Sequence, residues 1–212
     1  MKSGAAVPRQ SGEAAHSLPE GARRSHALEH FTASLARSAA RQILDLGGMN
    51  QDNLDYLTGQ GHRLYGVDLI RAAEAAFPPE AWVKTQPEEA AVEEFLRQTL
   101  PFPNAAAGAA LLWDQIQFLP PPLAEAVAAR LHRILAPEAI LLAQFHPDSP
   151  SHRATPSSCR IIDDRHLLMK PRGAPRLFQP FTPRTIERFF QQFQSIKFFM
   201  TRESLQEVIV RR

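Results

Sequence analysis

The chain has 212 residues, of which 44% are hydrophobic and 22% charged, ordinary values for a globular protein long enough to bury one proper core. A net charge of +2 with scattered basic residues counts against nucleic acid as the main partner, and the lone Cys159 excludes an intramolecular disulfide. No apolar run approaches the roughly 20 residues of a membrane span, and the start lacks the apolar core of a signal peptide, so the expectation is a soluble, cytoplasmic protein.

Residues 1–25 are rich in Gly, Ala, Ser, Arg and Pro and have almost no large apolar side chains. Such a stretch cannot offset its ordering entropy and reads as a disordered extension to a single domain over 26–212. From His26 to Gln42, Leu28, Phe31 and Leu35 recur at helical spacing. Gln42 to Leu46 is a short apolar strand that ends at Gly47-Gly48. Asn50 or Asp52 can cap the next helix, which closes at Gly59 or Gly61. His62 to Asp68 forms a second strand and Leu69 to Phe77 a short helix. Beyond two helix-breaking prolines, Glu88 to Arg97 has a helical pattern, although Phe95 to Gln98 also fits a third strand.

Ala109 to Trp113 is a buried strand, Pro121 to Leu135 a helix, and Ala139 to Phe145 the clearest strand of all. Continuous apolar strands that alternate with helices imply a mostly parallel sheet covered on both faces. The stretch 146–182 is proline-rich, with a hairpin expected around Ile161-Ile162 and Leu167-Leu168. Thr182 caps a helix over Pro183 to Phe193, and Ser195 to Thr201 and Leu205 to Val210 form a closing antiparallel pair.

Several strings, in this order, resemble the class I S-adenosylmethionine-dependent methyltransferases. ILDLGG resembles their first motif and LYGVDL their second. LPFPNAAAGAALLWDQIQFLPPP and LHRILAPEAILLAQFH resemble the runs into their fourth and fifth strands, and SIKFFMTRESLQEVIVRR resembles their terminal hairpin. The resemblance covers about Leu28 to Arg212. It implies a Rossmann-like, mostly parallel seven-stranded α/β sheet with helices on both faces and a C-terminal antiparallel hairpin. It also implies S-adenosylmethionine as cofactor and a small-molecule methyl acceptor.

In such sheets the ligand sits beyond the carboxyl ends of the strands, where strand order reverses. By resemblance, Asp45 orients the turn and meets the ammonium end of the cofactor, and Gly47 lets backbone approach it. Asp68, 23 positions after Asp45, suits a vicinal diol. Gly48, Met49 and Leu69 flank these positions, Trp113 and Asp114 border the site, and Gln98 and Thr99 fall near the adenine. His146, at the end of the fifth strand, is the candidate base. Each has a bland reading too: Asp68 as a helix cap, Asp45 as a turn carboxylate, Trp113 as core, Asp114 as a cap and His146 as structural.

The family pattern D/E-x-G-x-G-x-G is met here only at Gly47, with Met49 and Gln51 at the later glycine positions. The cofactor carries no phosphate, so its loop does not need the bare backbone of a dinucleotide site. Met49 can point aside or fill the pocket. Two readings follow: a small-molecule methyltransferase with 146–182 as a lid, or a catalytically silent member of the fold acting as a binding subunit. A nicotinamide oxidoreductase is disfavoured by the missing G-x-G-x-x-G. His146, His152, Cys159 and His166 have no standard metal spacing, and Arg172, Arg176 and Arg184 give the insert a basic face.

Overall fold

A computed structural model of the protein describes residues 18–39, 41–77, 87–200 and 205–212. The first half contains β1 (Ala22–Arg24), α1 (His26–Ala36), β2 (Gln42–Asp45), α2 (Gln51–Gly59), β3 (Arg63–Gly66), α3 (Leu69–Ala76) and α4 (Glu89–Thr99). Then come β4 (Ala107–Trp113), a 3-10 turn (Gln115–Phe118), α5 (Pro121–Ile134) and β5 (Leu135–Phe145). The insert holds β6 (Arg153–Ala154), β7 (Ser157–Ile161), β8 (His166–Pro171) and β9 (Arg176–Leu177). The chain closes with α6 (Pro183–Phe189), β10 (Ser195–Met200) and β11 (Gln206–Arg211).

The main sheet has the order β10-β11-β5-β4-β2-β3. Its β3, β2, β4 and β5 run parallel, and β11 and β10 are antiparallel additions. Alternate residues feed two cores. Leu112 of β4 and Leu141, Ala143 and Phe145 of β5 pack with α3, α4, α5 and α6. Ala109, Leu111 and Trp113 of β4 and Ile140 and Leu142 of β5 pack with α1, α2 and the β7–β8 hairpin. Both faces are buried, which is why these strands read as unbroken apolar runs.

Helix starts follow local chemistry. Asn50 accepts from the Asn53 amide, Asp68 from that of Arg71, and Thr182 from that of Thr185. Helix α2 closes as expected: Gly59 is its last residue, Gln60 the cap, and Gly61 follows at φ +84 with its amide on the Thr58 carbonyl.

Three expectations are corrected. Among the described residues the sheet has six strands, not seven, with β3 at its edge. Of the two readings of Glu88 to Gln98 the helix holds: Phe95 to Gln98 lies inside α4, because Val92, Phe95 and Leu96 share one buried face at helical spacing. Helices α1 and α6 stop earlier than their apolar patterns suggested, at Ala36 and Phe189. The extension expected to be disordered through residue 25 is ordered at its end: β1 pairs with β8, and Ser25 caps α1. That pairing supplies backbone partners, Ala22 to Leu168 and Arg24 to His166, from a strand far downstream that no local pattern announces. Residues 1–17, 40, 78–86 and 201–204, the last including the expected link between the closing strands, lie outside the described residues.

The α6 side of the core is aromatic. Phe190, fully buried, meets Phe189 at 5.0 Å, Phe193 at 5.4 Å and Phe145 at 6.5 Å between ring centroids. Phe190→Ala should therefore cost about 3–5 kcal/mol of unfolding free energy, read from urea denaturation at equal m value.

Candidate functional site

The chain leaves β2 for β3 on one side and returns to β4 on the other, so strand order reverses between β2 and β4. A crevice opens at the carboxyl end of such a switch point. At this one stands Asp45, fully buried at the last position of β2. Its Oδ1 accepts from Trp113 Nε1 at 2.8 Å and from the Gly47 amide at 3.2 Å, and its Oδ2 accepts from Asn53 Nδ2 at 2.8 Å. Trp113 ends β4 with φ +51, beside an irregularity in the β4–β5 register, and that left-handed backbone places its indole across the crevice. A Cβ on Gly47 would lie 2.6 Å from Trp113 Cδ1, so the indole itself requires this glycine. Asn53 also donates to the Cys159 carbonyl at 3.0 Å and accepts from the Ile161 amide at 2.8 Å, which ties the hairpin to the crevice.

Asp68 lies at the mouth of the neighbouring strand, and an isolated bridge joins it to Gly47. It caps α3 through the Arg71 amide at 3.1 Å. Arg172, just after β8, grips both of its oxygens, Nη1 to Oδ2 at 2.6 Å and Nη2 to Oδ1 at 3.1 Å. Arg172 Nη1 also donates to the Gly47 carbonyl at 3.2 Å, and Nη2 to Gln115 Oε1 at 3.4 Å. One guanidinium thus spans the acceptors at both strand ends. Gly48, at φ +86, passes beneath it: a Cβ there would stand 3.3 Å from Arg172 Nη1. Met49 turns the other way. Its side chain lies over Gly66, where a Cβ would come within 3.0 Å of the Met49 methyl, and Met49 stays 54% exposed.

At the ends of β4 and β5 stand Asp114 and His146. Asp114, fully buried, has Oδ2 3.1 Å from His146 Nε2 and 2.9 Å from the Ser157 amide, while its Oδ1 accepts from Gln115 Nε2 at 2.7 Å. The His146 ring packs between Phe118 and Phe178, and its own amide donates to Gln117 Oε1 at 2.6 Å. A hydrogen-bonded path therefore runs Asp68–Arg172–Gln115–Asp114–His146.

These contacts bring together Asp45, Gly47, Gly48, Asp68, Trp113, Asp114 and His146. Leu69 is buried beneath the mouth, its amide on the Leu46 carbonyl at 3.3 Å. Thr99 ends α4 with no hydrogen bond to this cluster among the described residues, and Gln98 pairs with Glu94. His152 pairs with Asp148, His166 pairs with Asp163, and burial pushes the Cys159 thiol well above its usual range. Sequence reasoning missed Asn53, Gln115 and Gln117 and left Arg172 on a basic face. The available signal was polarity at inward positions, since Asn53 and Leu57 are one helical turn apart and both buried.

Cavities of about 410 and 600 Å³ are lined by described residues of α5 and α6 and of α1 and α2, and neither includes Asp45, Asp68 or His146.

Burial pushes the Asp45 carboxyl above its ordinary 3.8, against the pull of its three hydrogen bonds. The native state then holds that proton more tightly than the unfolded chain, so this contribution is fully present below the unfolded value and is lost as pH rises through the native one. The wild-type minus Asp45→Asn difference in unfolding free energy should therefore fall across the weakly acidic range. A difference curve that is flat or rising, measured by urea unfolding at stepped pH, would contradict this.

No family model matches the sequence, and no curated protein does. Solved structures do resemble the fold. An S-adenosylmethionine-dependent methyltransferase from Mesorhizobium loti is 10% identical with a TM-score of 0.50, covering 87% of this chain and 98% of its own. One from Methanosarcina mazei is 16% identical with a TM-score of 0.49, over 85% of this chain and 96% of its own. The Burkholderia thailandensis 1,6-didemethyltoxoflavin-N1-methyltransferase, solved with 1,6-didemethyltoxoflavin and S-adenosylhomocysteine, is 16% identical at 0.48, over 88% of this chain and 76% of its own. With its parallel core and closing antiparallel pair, the chain has the fold of the class I S-adenosylmethionine-dependent methyltransferases.

Proposed function

We propose that the protein is an S-adenosylmethionine-dependent methyltransferase that takes its cofactor over Gly47, Gly48 and Asp68 and passes the methyl group to a small molecule near His146. One observation carries the reading: the Gly47 carbonyl and the Asp68 carboxylate are adjacent acceptors at the mouth of the switch point, both held by a single cationic group. Acceptors that satisfy a guanidinium also suit an ammonium and a ribose diol once Arg172 moves aside. Met49, turned onto Gly66, leaves that path clear.

The cofactor supplies a methyl group already activated on a sulfonium, so the protein's part is positioning and, where the acceptor must lose a proton, a base. Asp68 and the Gly47 carbonyl orient the ligand, and Trp113, fixed by Asp45, walls the crevice. Asp114 accepts from Nε2–H of His146, which leaves Nδ1 with the free lone pair that can take a proton.

A second reading is favoured by a different observation. Asp45 has all its hydrogen bonds inside the protein, and Arg172 grips Asp68 through both oxygens. A chain whose own side chains satisfy these two carboxylates also fits a silent, binding subunit of the fold.

Isothermal titration with S-adenosylmethionine separates the two. Arg172 and Asp68 are 33% and 26% exposed, so freeing the pair costs about 1–2 kcal/mol, and Arg172→Ala should bind about tenfold more tightly than wild type. Asp68→Ala should lose binding. No heat from either wild type or Arg172→Ala at millimolar ligand would leave the silent reading standing.

A further inference from the structure

A second polar pocket lies at the opposite end of the sheet. It is lined by His30 in the middle of α1, Arg37 just after it, Arg41 just before β2, Glu138 early in β5 and Arg211 at the end of β11. Its volume is about 320 Å³. These residues stand at the amino end of β2, whereas Asp45 and Trp113 stand at the carboxyl ends of β2 and β4.

The charge there is unbalanced. Among the described residues no salt bridge joins Arg37, Arg41, Arg211 or the nearby Lys197 to a carboxylate, and Glu138 is the one acid on the lining. Arg37 also closes α1, where a cation complements the helix end, but that role explains only one of the four. Arg41 is held in place: Nη1 donates to the Gly108 carbonyl at 2.9 Å, and its stem fills the space a Cβ on Gly108 would take, 2.6 Å from Arg41 Cδ. His30 stacks at 6.0 Å on Phe199, whose other neighbour is Lys197 Nζ at 5.1 Å. His30 Nδ1 is buried with no hydrogen-bond partner among the described residues. Burial, and then Lys197, Arg211 and Arg37, hold this imidazole below its ordinary range.

We infer that the pocket formed by His30, Arg37, Arg41 and Arg211 binds a phosphate dianion, free or as the phosphomonoester of a small molecule. Several guanidinium forks around a pocket of this size match the oxygens of a tetrahedral dianion better than a carboxylate or a chloride ion. A bound dianion supplies the negative charge the cluster lacks, beside the His30 ring that lines the pocket.

The test is an NMR titration of the full chain with inorganic phosphate at constant ionic strength, following the His30 ring. The expected result is a saturable shift, with the titration midpoint of His30 raised in the presence of phosphate because the dianion favours the imidazolium. Arg37→Gln, at an exposed helix end, should weaken phosphate about tenfold without changing the far-UV spectrum, and adding Arg211→Gln should weaken it further. Arg172→Ala should leave phosphate binding as it is, which separates this pocket from the crevice. A shift that grows without saturating, that equal chloride reproduces, or that survives both arginine substitutions overturns the inference. So does a short oligonucleotide that shifts His30 at concentrations where phosphate does not.

Discussion

A carboxylate shut away from water at the turning point of the sheet sets the geometry of everything around it. Desolvation makes such a group costly unless donors surround it, and Asp45 recruits them from three elements. The amide comes from its own turn, the carboxamide from α2 and the indole from β4. Satisfying one buried charge therefore fixes where the turn, the helix and the fourth strand meet. Gly47 follows from this, since any side chain there would strike Trp113. Through Asn53 the same carboxylate reaches β7, so the insert belongs to the arrangement and does not merely lie on it.

Arg172 stands on that platform and closes the mouth. It sits between Asp68 and Gln115, and the polar path continues to Asp114 and His146. In a partly dry setting, linked hydrogen bonds reinforce one another, so a change at one end is felt along the chain of partners. Under the proposed function, a ligand group that pairs with Asp68 competes with this guanidinium. The unusual side chain in the glycine loop, Met49, is a bystander by comparison, packed on Gly66 with more than half its surface in water.

The strand–helix alternation was legible because strands covered on both faces must be apolar throughout, as Ile140 to Phe145 are. Asp68 was legible twice over, as a cap and as an acid at a strand end, and it is a cap with a charged partner. The sheet edge was harder to read. Phe95 and Leu96 suit a strand or a helix over four residues, and only their spacing from Val92 decides for the helix. Asn53, Gln115 and Gln117 carried little local signal, because a polar side chain in a short helical segment reads as a solvent-facing position until a buried partner is known.

The sequence alone determined the class of fold, the order of its elements and the two acidic strand ends, because these depend on periodicity, turn chemistry and capping within a few residues. Tertiary structure alone decided that Asp45 faces inward, that Arg172 and not Met49 occupies the mouth, and that β1 completes the sheet of the insert. Arg172 and Asp68 are 104 positions apart, and Ala22 and Leu168 are 146 apart. Contacts of that span have no local pattern to announce them; they exist only once burial of the two cores has brought the insert against the carboxyl ends of the strands.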